Sequence, residues 1–453
     1  MSHWSRRDVI RTFGLSAALP FSSLEDIMDI PIHNEDQYQS NDVKKMVTAV
    51  VIGAGARGTL YGRYSLQYPN QLKIIGVAEP VSLRNEKFSG THGIDNQFRF
   101  KTWEDVFKAP KFADAVIITT PDDLHYGPCM QALAMGYDVL LEKPISPSEQ
   151  ECRNILNLAK KNNRIVAVCH VLRYSEYWIK IKEMIDQGTI GKVVSIQHLE
   201  PIGNIHMSHS YVRGNWHDSK KTTPIILAKS CHDLDIIKWL VNRPVKYVQA
   251  FGNLTYFRSE NAPSGSTARC MDGCSVESTC PYSALKIYHR NRQWTYVLDL
   301  PEDKEKHSDH ILNKLANTNY GRCVFRMDND QPDHYVCNIE FEDQTTVAFS
   351  MEAHISYEGR RTRILGTQGD ITGDMKSFTH TDFTTGKSET WEQKVTDGHG
   401  GGDFGLVAQW VRAVSAQDAS MLSSTIDASI ESHIMGFAAE KSRLGKTVVE
   451  VRL

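Results

Sequence analysis

From residue 47 the chain alternates short apolar runs with segments of helical period. The run at 47–52, Val-Thr-Ala-Val-Val-Ile, is rich in β-branched residues and has almost no polar face, the pattern of a strand buried on both sides. Comparable runs recur at 72–78, 113–121 and 137–144, separated by helical stretches. Strand and helix in this alternation predict an α/β fold whose first domain, residues 46–168, is a doubly wound parallel Rossmann sheet with ligands at the carboxyl ends of its strands.

Residues 224–240 carry apolar positions at helical spacing, with Leu234, Ile237, Trp239 and Leu240 available to a core. A polar, loop-rich stretch at 259–330 interrupts the pattern, and within it 282–288 reads as one amphipathic helix. Period-two runs at 336–341, 345–353 and 362–365 then predict strands with one covered face, and 366–370 a turn. A helix is predicted at 404–414, with Asp403 as its N-cap; the glycine-rich link beside His399 and Asp403 could instead make the two pocket neighbours. Residues 169–453 thus form a second domain carrying an insert, and no internal repeat is visible.

The first 45 residues stand apart. Ser5-Arg6-Arg7-Asp8-Val9-Ile10-Arg11 and the mildly apolar stretch at 12–21 have the form of a twin-arginine export signal, which would place the protein in the periplasm. The alternative is a cytoplasmic protein with a leader outside the fold. Residues 22–45 are polar, acidic and aperiodic, and read as a tether.

With 453 residues, 41% hydrophobic and 23% charged, the chain can bury a core of two-domain size. A net charge of −3 gives no single-sign field for nucleic acid or an acidic membrane surface. No apolar run approaches the ~20 residues needed to span a bilayer. The nine cysteines form no small-domain disulfide framework, but Cys270, Cys274 and Cys280 lie close together in sequence. They could hold a structural metal with Cys231 or His289 as fourth ligand, form a disulfide, or remain free thiols.

The chemistry begins at Gly53-Ala54-Gly55-Ala56-Arg57-Gly58, directly after the first apolar run. Glycines there let the chain turn sharply and approach a pyrophosphate, with the amides of the following helix facing the phosphates. Alone the motif is weak, because glycines also mark ordinary strand-to-helix turns. Glu79 ends the second run, where a carboxylate can accept from the ribose hydroxyls and favours NAD over NADP; Arg84 nearby blunts that preference.

Gly53 to Gly58, then Thr120-Pro121-Asp122 with His125, then Glu142-Lys143-Pro144, in that order and spacing, resemble the Gfo/Idh/MocA superfamily, relatives of glucose-fructose oxidoreductase and inositol dehydrogenase. The likeness continues through His170-Val171-Leu172-Arg173-Tyr174 and residues 179–196, covering most of 46–240. It implies a C-terminal α/β domain with a large open, mainly antiparallel sheet that caps the nicotinamide and often forms an oligomer interface, so a homo-oligomer is expected. It also implies NAD, or NADP, contacted by Gly53, Gly55, Arg57, Gly58, Glu79, Arg84, Thr120, Pro121, His125, Glu142, Lys143 and Arg173. Lys143 is placed beside the nicotinamide and the reacting hydroxyl, where an ammonium can polarise an oxygen; capping a strand end is the plainer alternative.

Removing a hydride from an alcohol requires a base for the hydroxyl proton, and His232 matches the family's catalytic histidine. On a helix, Lys229 and His232 would share a face, and Asp235 could fix the imidazole's tautomer. One departure matters: sugar dehydrogenases of the family carry an aspartate one turn before this histidine, and here stands Ala228. Between the landmarks, His209, Tyr211, Arg213, Asn215 and Trp216 mix planar donors with aromatic faces and are candidate sugar-pocket residues; a self-stabilised surface loop is the alternative, and a metal on His206, His209 and His217 a poorer one. The function expected is oxidation of a sugar, glycoside or polyol hydroxyl by hydride transfer. Its rival is a redox-neutral glycosidase of the same superfamily with tightly bound NAD, favoured if the chain is exported away from free NAD. A sugar or nucleotide sensor without turnover is a third class, hinted at by Ala228 alone.

Overall fold

Apolar runs without a polar face become neighbours, because only a sheet covered on both sides accepts them. In the computed structural model, which describes residues 43–394 and 398–452, they form β1 (Val47–Ile52), β2 (Leu72–Ala78), β4 (Ala115–Ile118) and β5 (Asp138–Leu141), joined by β3 (Arg99–Phe100) and β6 (Val166–Val168). The order is β3-β2-β1-β4-β5-β6, with every pairing parallel. The strand order therefore reverses between β1 and β4, and a crevice opens there at the carboxyl ends. The export-like leader and most of the expected tether lie outside the described residues. Among the described residues no helix is long and apolar enough to cross a membrane.

Among the described residues the helices of eight residues or more are α1 (Ala56–Gln67), α2 (Ser82–His92), α3 (Tyr126–Ala134), α4 (Glu149–Lys161), α5 (Glu176–Asp186), α6 (Cys231–Val241), α7 (His307–Asn317), α8 (Gly402–Ala416) and α9 (Ile426–Gly445). Local chemistry sets their ends. The Ser148 hydroxyl caps α4 by accepting from the Glu151 amide, with Glu149 and Glu151 in the first turn and Lys160 and Lys161 in the last, the charge order that complements a helix dipole.

The second sheet has nine strands: β7 (Val193–Pro201), β8 (Val245–Asn253), β9 (His334–Phe341), β10 (Thr346–Glu352), β11 (Arg361–Gly366), β12 (Gly369–Gly373), β13 (Ser377–Asp382), β14 (Ser388–Glu392) and β15 (Val449–Glu450). Their order is β14-β13-β12-β11-β7-β10-β9-β8-β15, and only the β7–β10 pair is parallel. One face is covered by α6 and α9, while the other leaves Val194, Phe251 and Val336 half exposed.

Two expectations change. The helix expected at 224–240 is broken: a short turn, Ile225–Ala228, precedes α6, with Lys229 and Ser230 at the kink. The second domain is also not closed on itself. The helix expected at 404–414 begins at Gly402, so Asp403 lies inside its first turn and Gly401, at φ 80°, takes the N-cap position. This helix, α8, packs on α1 and β1, and its Phe404, Leu406, Val407 and Trp410 share one buried cluster with Val47, Ala49 and Val51. The chain's C-terminal part thus completes the nucleotide layer. The insert has its own small core, in which Ile287, Tyr288, Trp294, Ile311 and Leu315 meet.

His433 of α9 links the two sheets. Its Nε2 accepts from the Ile145 amide at 3.0 Å and its Nδ1 donates to the Ser429 carbonyl at 3.1 Å. Burial, chiefly, pushes its pKa down to about 3. A folded-state pKa below the unfolded value means that the unfolded chain binds the extra proton first, so stability falls as pH drops below about 6.5. We predict a loss of about 2 kcal/mol from this residue between pH 6.5 and 5. Urea unfolding at both pH values should show a flatter pH dependence in His433→Gln than in the wild type; equal slopes would refute it.

Candidate active site

The turn after β1 is closed too tightly for any side chain. Gly53 sits at φ 93°, and a Cβ there would lie 2.8 Å from the Thr119 carbonyl oxygen. A Cβ on Gly58 would run into the Gly53 carbonyl oxygen. Gly55 differs: its open side meets only the Arg84 guanidinium, at 3.8 Å from a notional Cβ. Helix α1 starts here with no side-chain cap and no carboxylate in its first turn, leaving its positive end for an anion. These residues fit a dinucleotide pyrophosphate. Glu79 is buried, and its two oxygens accept from the Ala54 amide at 2.8 Å and the Val81 amide at 2.9 Å, so the carboxylate expected at the ribose also pins the glycine turn to the end of β2.

A cavity of about 450 Å³ runs from this turn. Gly55, Arg57, Arg84, Thr120, Pro121, His125, Glu142 and Lys143 line its nucleotide side, and His209, Asn215 and Trp216 stand in its second-domain wall. The insert contributes Tyr296, Val297 and Tyr320. At its edge Arg84, a lining residue, donates from Nε to Asp299 Oδ1 at 2.7 Å, tying insert to nucleotide domain. The His125 ring bridges two carbonyls, Nδ1 at 2.7 Å from Pro144 O and Nε2 at 2.9 Å from Thr120 O, and so braces the ends of β4 and β5.

Deeper in lies a charged network. Arg57 donates from Nε to Glu142 Oε1 at 2.7 Å and from Nη2 to Asp403 Oδ1 at 2.6 Å. Tyr61 donates to the same Glu142 oxygen at 2.7 Å and is itself hydrogen-bonded to Arg57 Nη2. Asp403 Oδ2 lies 2.9 Å from His399 Nδ1. Burial would raise both carboxyl pKa values, but Arg57 outweighs it, with Lys143 helping at Glu142 and His399 at Asp403, and both are held below the usual range. Lys143 donates from Nζ to the Ala228 carbonyl oxygen at 2.9 Å, at the position where the expected aspartate is missing.

Two family models cover most of the chain: an oxidoreductase family NAD-binding Rossmann fold matches residues 47–170, and an oxidoreductase family C-terminal alpha/beta domain matches 182–400. The chain belongs to the Gfo/Idh/MocA family. It is therefore an NAD-binding oxidoreductase of that family. Among its relatives, YteT of Bacillus subtilis (strain 168) is 27% identical over 326 residues, 68% of this chain and 74% of YteT. An inositol 2-dehydrogenase of Klebsiella pneumoniae (strain 342) is 28% identical over 200 residues, 44% of this chain and 56% of the relative. An Azotobacter vinelandii inositol dehydrogenase homolog complexed with NAD+ has the same fold, at TM-score 0.67 and 14% identity, over 92% of this chain and 100% of its own. A levoglucosan dehydrogenase in complex with NADH and levoglucosan does so at TM-score 0.66 and 14% identity, over 90% and 100%.

Within this Gfo/Idh/MocA frame several expected roles are corrected. Asp235 does not orient His232: both its oxygens take the Arg173 guanidinium, at 2.7 Å each. Arg173 is thereby buried against α6, with its cation on Asp235 and the Ser423 carbonyl rather than on a cofactor. Lys229, turned away by the kink, pairs with Glu200 at 3.3 Å. Arg213 is buried and donates to the carbonyls of Arg322 (2.8 Å) and Tyr282 (2.7 Å), so it anchors the insert rather than a sugar. Tyr211 is buried between the rings of His206 and Trp216, behind the cavity wall.

The cysteine trio gives the metal alternative no support. Cys270, Cys274 and Cys280 are free thiols, and among the described residues no group of three or more His, Cys, Asp or Glu is placed to hold a metal ion. Cys270 Sγ instead accepts from the Ala284 amide at 3.4 Å and from Arg213 Nη2 at 3.8 Å. Cys231 is buried in α6, and His289 pairs with the Ser308 hydroxyl at 2.8 Å. The cysteine brought toward the trio is Cys323, through the Arg269–Arg322 bridge, which sequence spacing does not suggest.

His232 is nearly buried, and its Nδ1 has no hydrogen-bond partner among the described residues. Burial first, then Lys143, His170, His399 and Arg360, hold its pKa well below the usual value. The glycine turn yields a direct test. Gly58→Ala should lower NAD affinity at least tenfold in calorimetry, because the added methyl displaces the turn from the pyrophosphate; unchanged affinity would refute that placement.

Proposed function

We propose that this chain oxidises a hydroxyl of a sugar or polyol, using NAD as hydride acceptor and Lys143 as the cation that polarises the reacting oxygen. The observation carrying the reading is the place of the Lys143 ammonium. Lys143 follows β5, its ammonium is held by the Ala228 carbonyl, and it lines one cavity with Gly55 of the glycine turn and with Asn215 and Trp216. Gly53, Gly55 and Gly58 with the start of α1 would hold the pyrophosphate, and Glu79 the adenosine ribose. Arg84, occupied by Asp299, is poorly free for a ribose phosphate, which favours NAD over NADP. Bound NAD supplies the acceptor for the hydride. The side chains supply the rest: Trp216 an apolar face for the C–H side of a ring, Asn215 and His209 hydrogen bonds to its hydroxyls, and Lys143 a fixed positive charge where the oxygen's electron density changes. Substrates named for the relatives, inositol and levoglucosan, have this chemistry.

A second reading is favoured by the Arg84–Asp299 link at the edge of the cavity. A cofactor enclosed in this way fits a redox-neutral glycosidase that returns the hydride within each turnover, and would suit export through the twin-arginine-like leader. The two readings separate in one assay. Incubated with NAD and a panel of sugars and polyols, an oxidoreductase accumulates absorbance at the NADH wavelength, whereas a glycosidase releases the reporter from aryl glycosides with no net NADH. We expect Lys143→Met to lose about 10²–10⁴-fold in kcat/KM with NAD affinity within a few-fold of wild type. Full activity in that variant would overturn the role given to Lys143.

A further inference from the structure

We infer that His399, held by Asp403, is the base that takes the substrate's hydroxyl proton, in place of His232. The inference rests on the oxidoreductase reading above. A base needs a nitrogen with a free lone pair, access to the substrate, and a group that stabilises the cation it becomes. His232 is poorly placed on the last two counts: it is 7% exposed, and the charges that act on it most strongly, those of Lys143, His170, His399 and Arg360, oppose its protonation. Asp235, the carboxylate expected to support it, is fully engaged by Arg173.

His399 offers the lone pair and the stabilising partner, on a side chain that is partly open. Its Nδ1 lies 2.9 Å from Asp403 Oδ2, which fixes the proton on Nδ1 and leaves Nε2 as the acceptor. The side chain is 31% exposed, on the link before α8. Asp403 is itself nearly buried and held by Arg57 at 2.6 Å, which in turn is held by Glu142, so the carboxylate that His399 meets is fixed in place. The ring sits 6.0 Å from that of His232, which lies within the field of Lys143, so the dyad stands close to the Lys143 side of the charged network. His399 and Gly400 adopt left-handed backbone, at φ 51° and 66°, and a non-glycine residue so placed is held there by its surroundings. The Asp403–His399 pair thus supplies, from the C-terminal part of the chain, the carboxylate that Ala228 no longer provides.

In the step itself the substrate O–H bond breaks and its proton goes to His399 Nε2. The C–H bond breaks with its electron pair passing as hydride to oxidised NAD, and a C=O bond forms at that carbon. Asp403 balances the imidazolium.

The test combines kinetics with a readout on the protein alone. His399→Gln should reduce kcat/KM by about 10²–10⁴-fold for whichever panel sugar the wild type oxidises, with NAD affinity by calorimetry unchanged. Asp403→Asn should lie between it and wild type. In long-range proton–nitrogen spectra of the ¹⁵N-histidine-labelled full chain at pH 8, without substrate, the resonances missing from His399→Gln should report a proton on Nδ1 and a bare Nε2. A proton on Nε2, a rapidly averaging tautomer, or wild-type turnover in His399→Gln would overturn the inference. Loss of turnover in Lys143→Met with retention in His399→Gln would sink it while leaving the oxidoreductase reading intact. If no panel sugar is oxidised, the tautomer still decides whether His399 can serve as a base.

Discussion

The Arg57 guanidinium between Glu142 and Asp403 is the contact on which the rest of the site depends. It joins three parts of the chain that are far apart in sequence: the helix opened by the glycine turn, the end of β5, and the first turn of α8. Both carboxyls are nearly buried, and without the cation each would lose the partner that keeps it ionised in a poorly solvated place. The arrangement is rigid because Arg57 is a planar fork and uses separate nitrogens for its two partners. Tyr61, one turn along α1, closes the fourth side by donating to Glu142. Lys143 inherits its position from this arrangement, since its backbone amide donates to the other Glu142 oxygen at 2.8 Å.

The same contact explains why the C-terminal part must fold back on the nucleotide layer. A helix bringing a carboxylate to Arg57 needs an apolar seat beside α1, and α8 has one in Phe404, Leu406, Val407 and Trp410. The glycines at 400–402 allow the chain to approach: a Cβ on Gly402 would run into the Val171 carbonyl oxygen. Burial of these side chains, at about 25 cal/mol per Å² of apolar surface, holds the helix in place, and the ion pair then fixes its register. The reactive groups therefore stand on packed secondary structure or on links pinned at both ends.

Much of this was legible in the sequence, for identifiable reasons. Parallel strands buried on both faces leave unbroken apolar runs, so β1, β2, β4 and β5 stand out, and a glycine turn that tolerates no Cβ leaves a glycine signature. Lys143 was legible only through its resemblance to a family, because one lysine after a strand has no periodicity. What could not be read were contacts between distant segments. Nothing in Arg173 or Asp235 announces that they satisfy each other, and once they do, neither is left for cofactor or imidazole. The kink at Lys229 was hidden because the apolar spacing of 224–240 continues through it; only the restart of hydrogen bonding at Ser230, which accepts from Asp233 and Leu234, reveals the break. Asp403 reads as an N-cap because aspartate before an apolar helical run usually is one. Its real partner lies 346 residues away.

The insert illustrates how a structural role can resemble a chemical one. Three cysteines within eleven residues suggest a metal clip, yet the neighbouring Arg213 already supplies a buried positive charge that accounts for the local polarity, holding two carbonyls and lying against the Cys270 sulfur. What the insert presents to the crevice is instead aromatic, Tyr296 and Tyr320 in the wall, with Asp299 bonded to the lining residue Arg84. Asp299 takes the left-handed backbone that aspartate tolerates better than most residues, with φ 50°, and so turns its carboxylate back toward Arg84. The Arg84–Asp299 pair thus ties the insert to the nucleotide domain beside Gly55 of the glycine turn, through a segment outside the Rossmann domain.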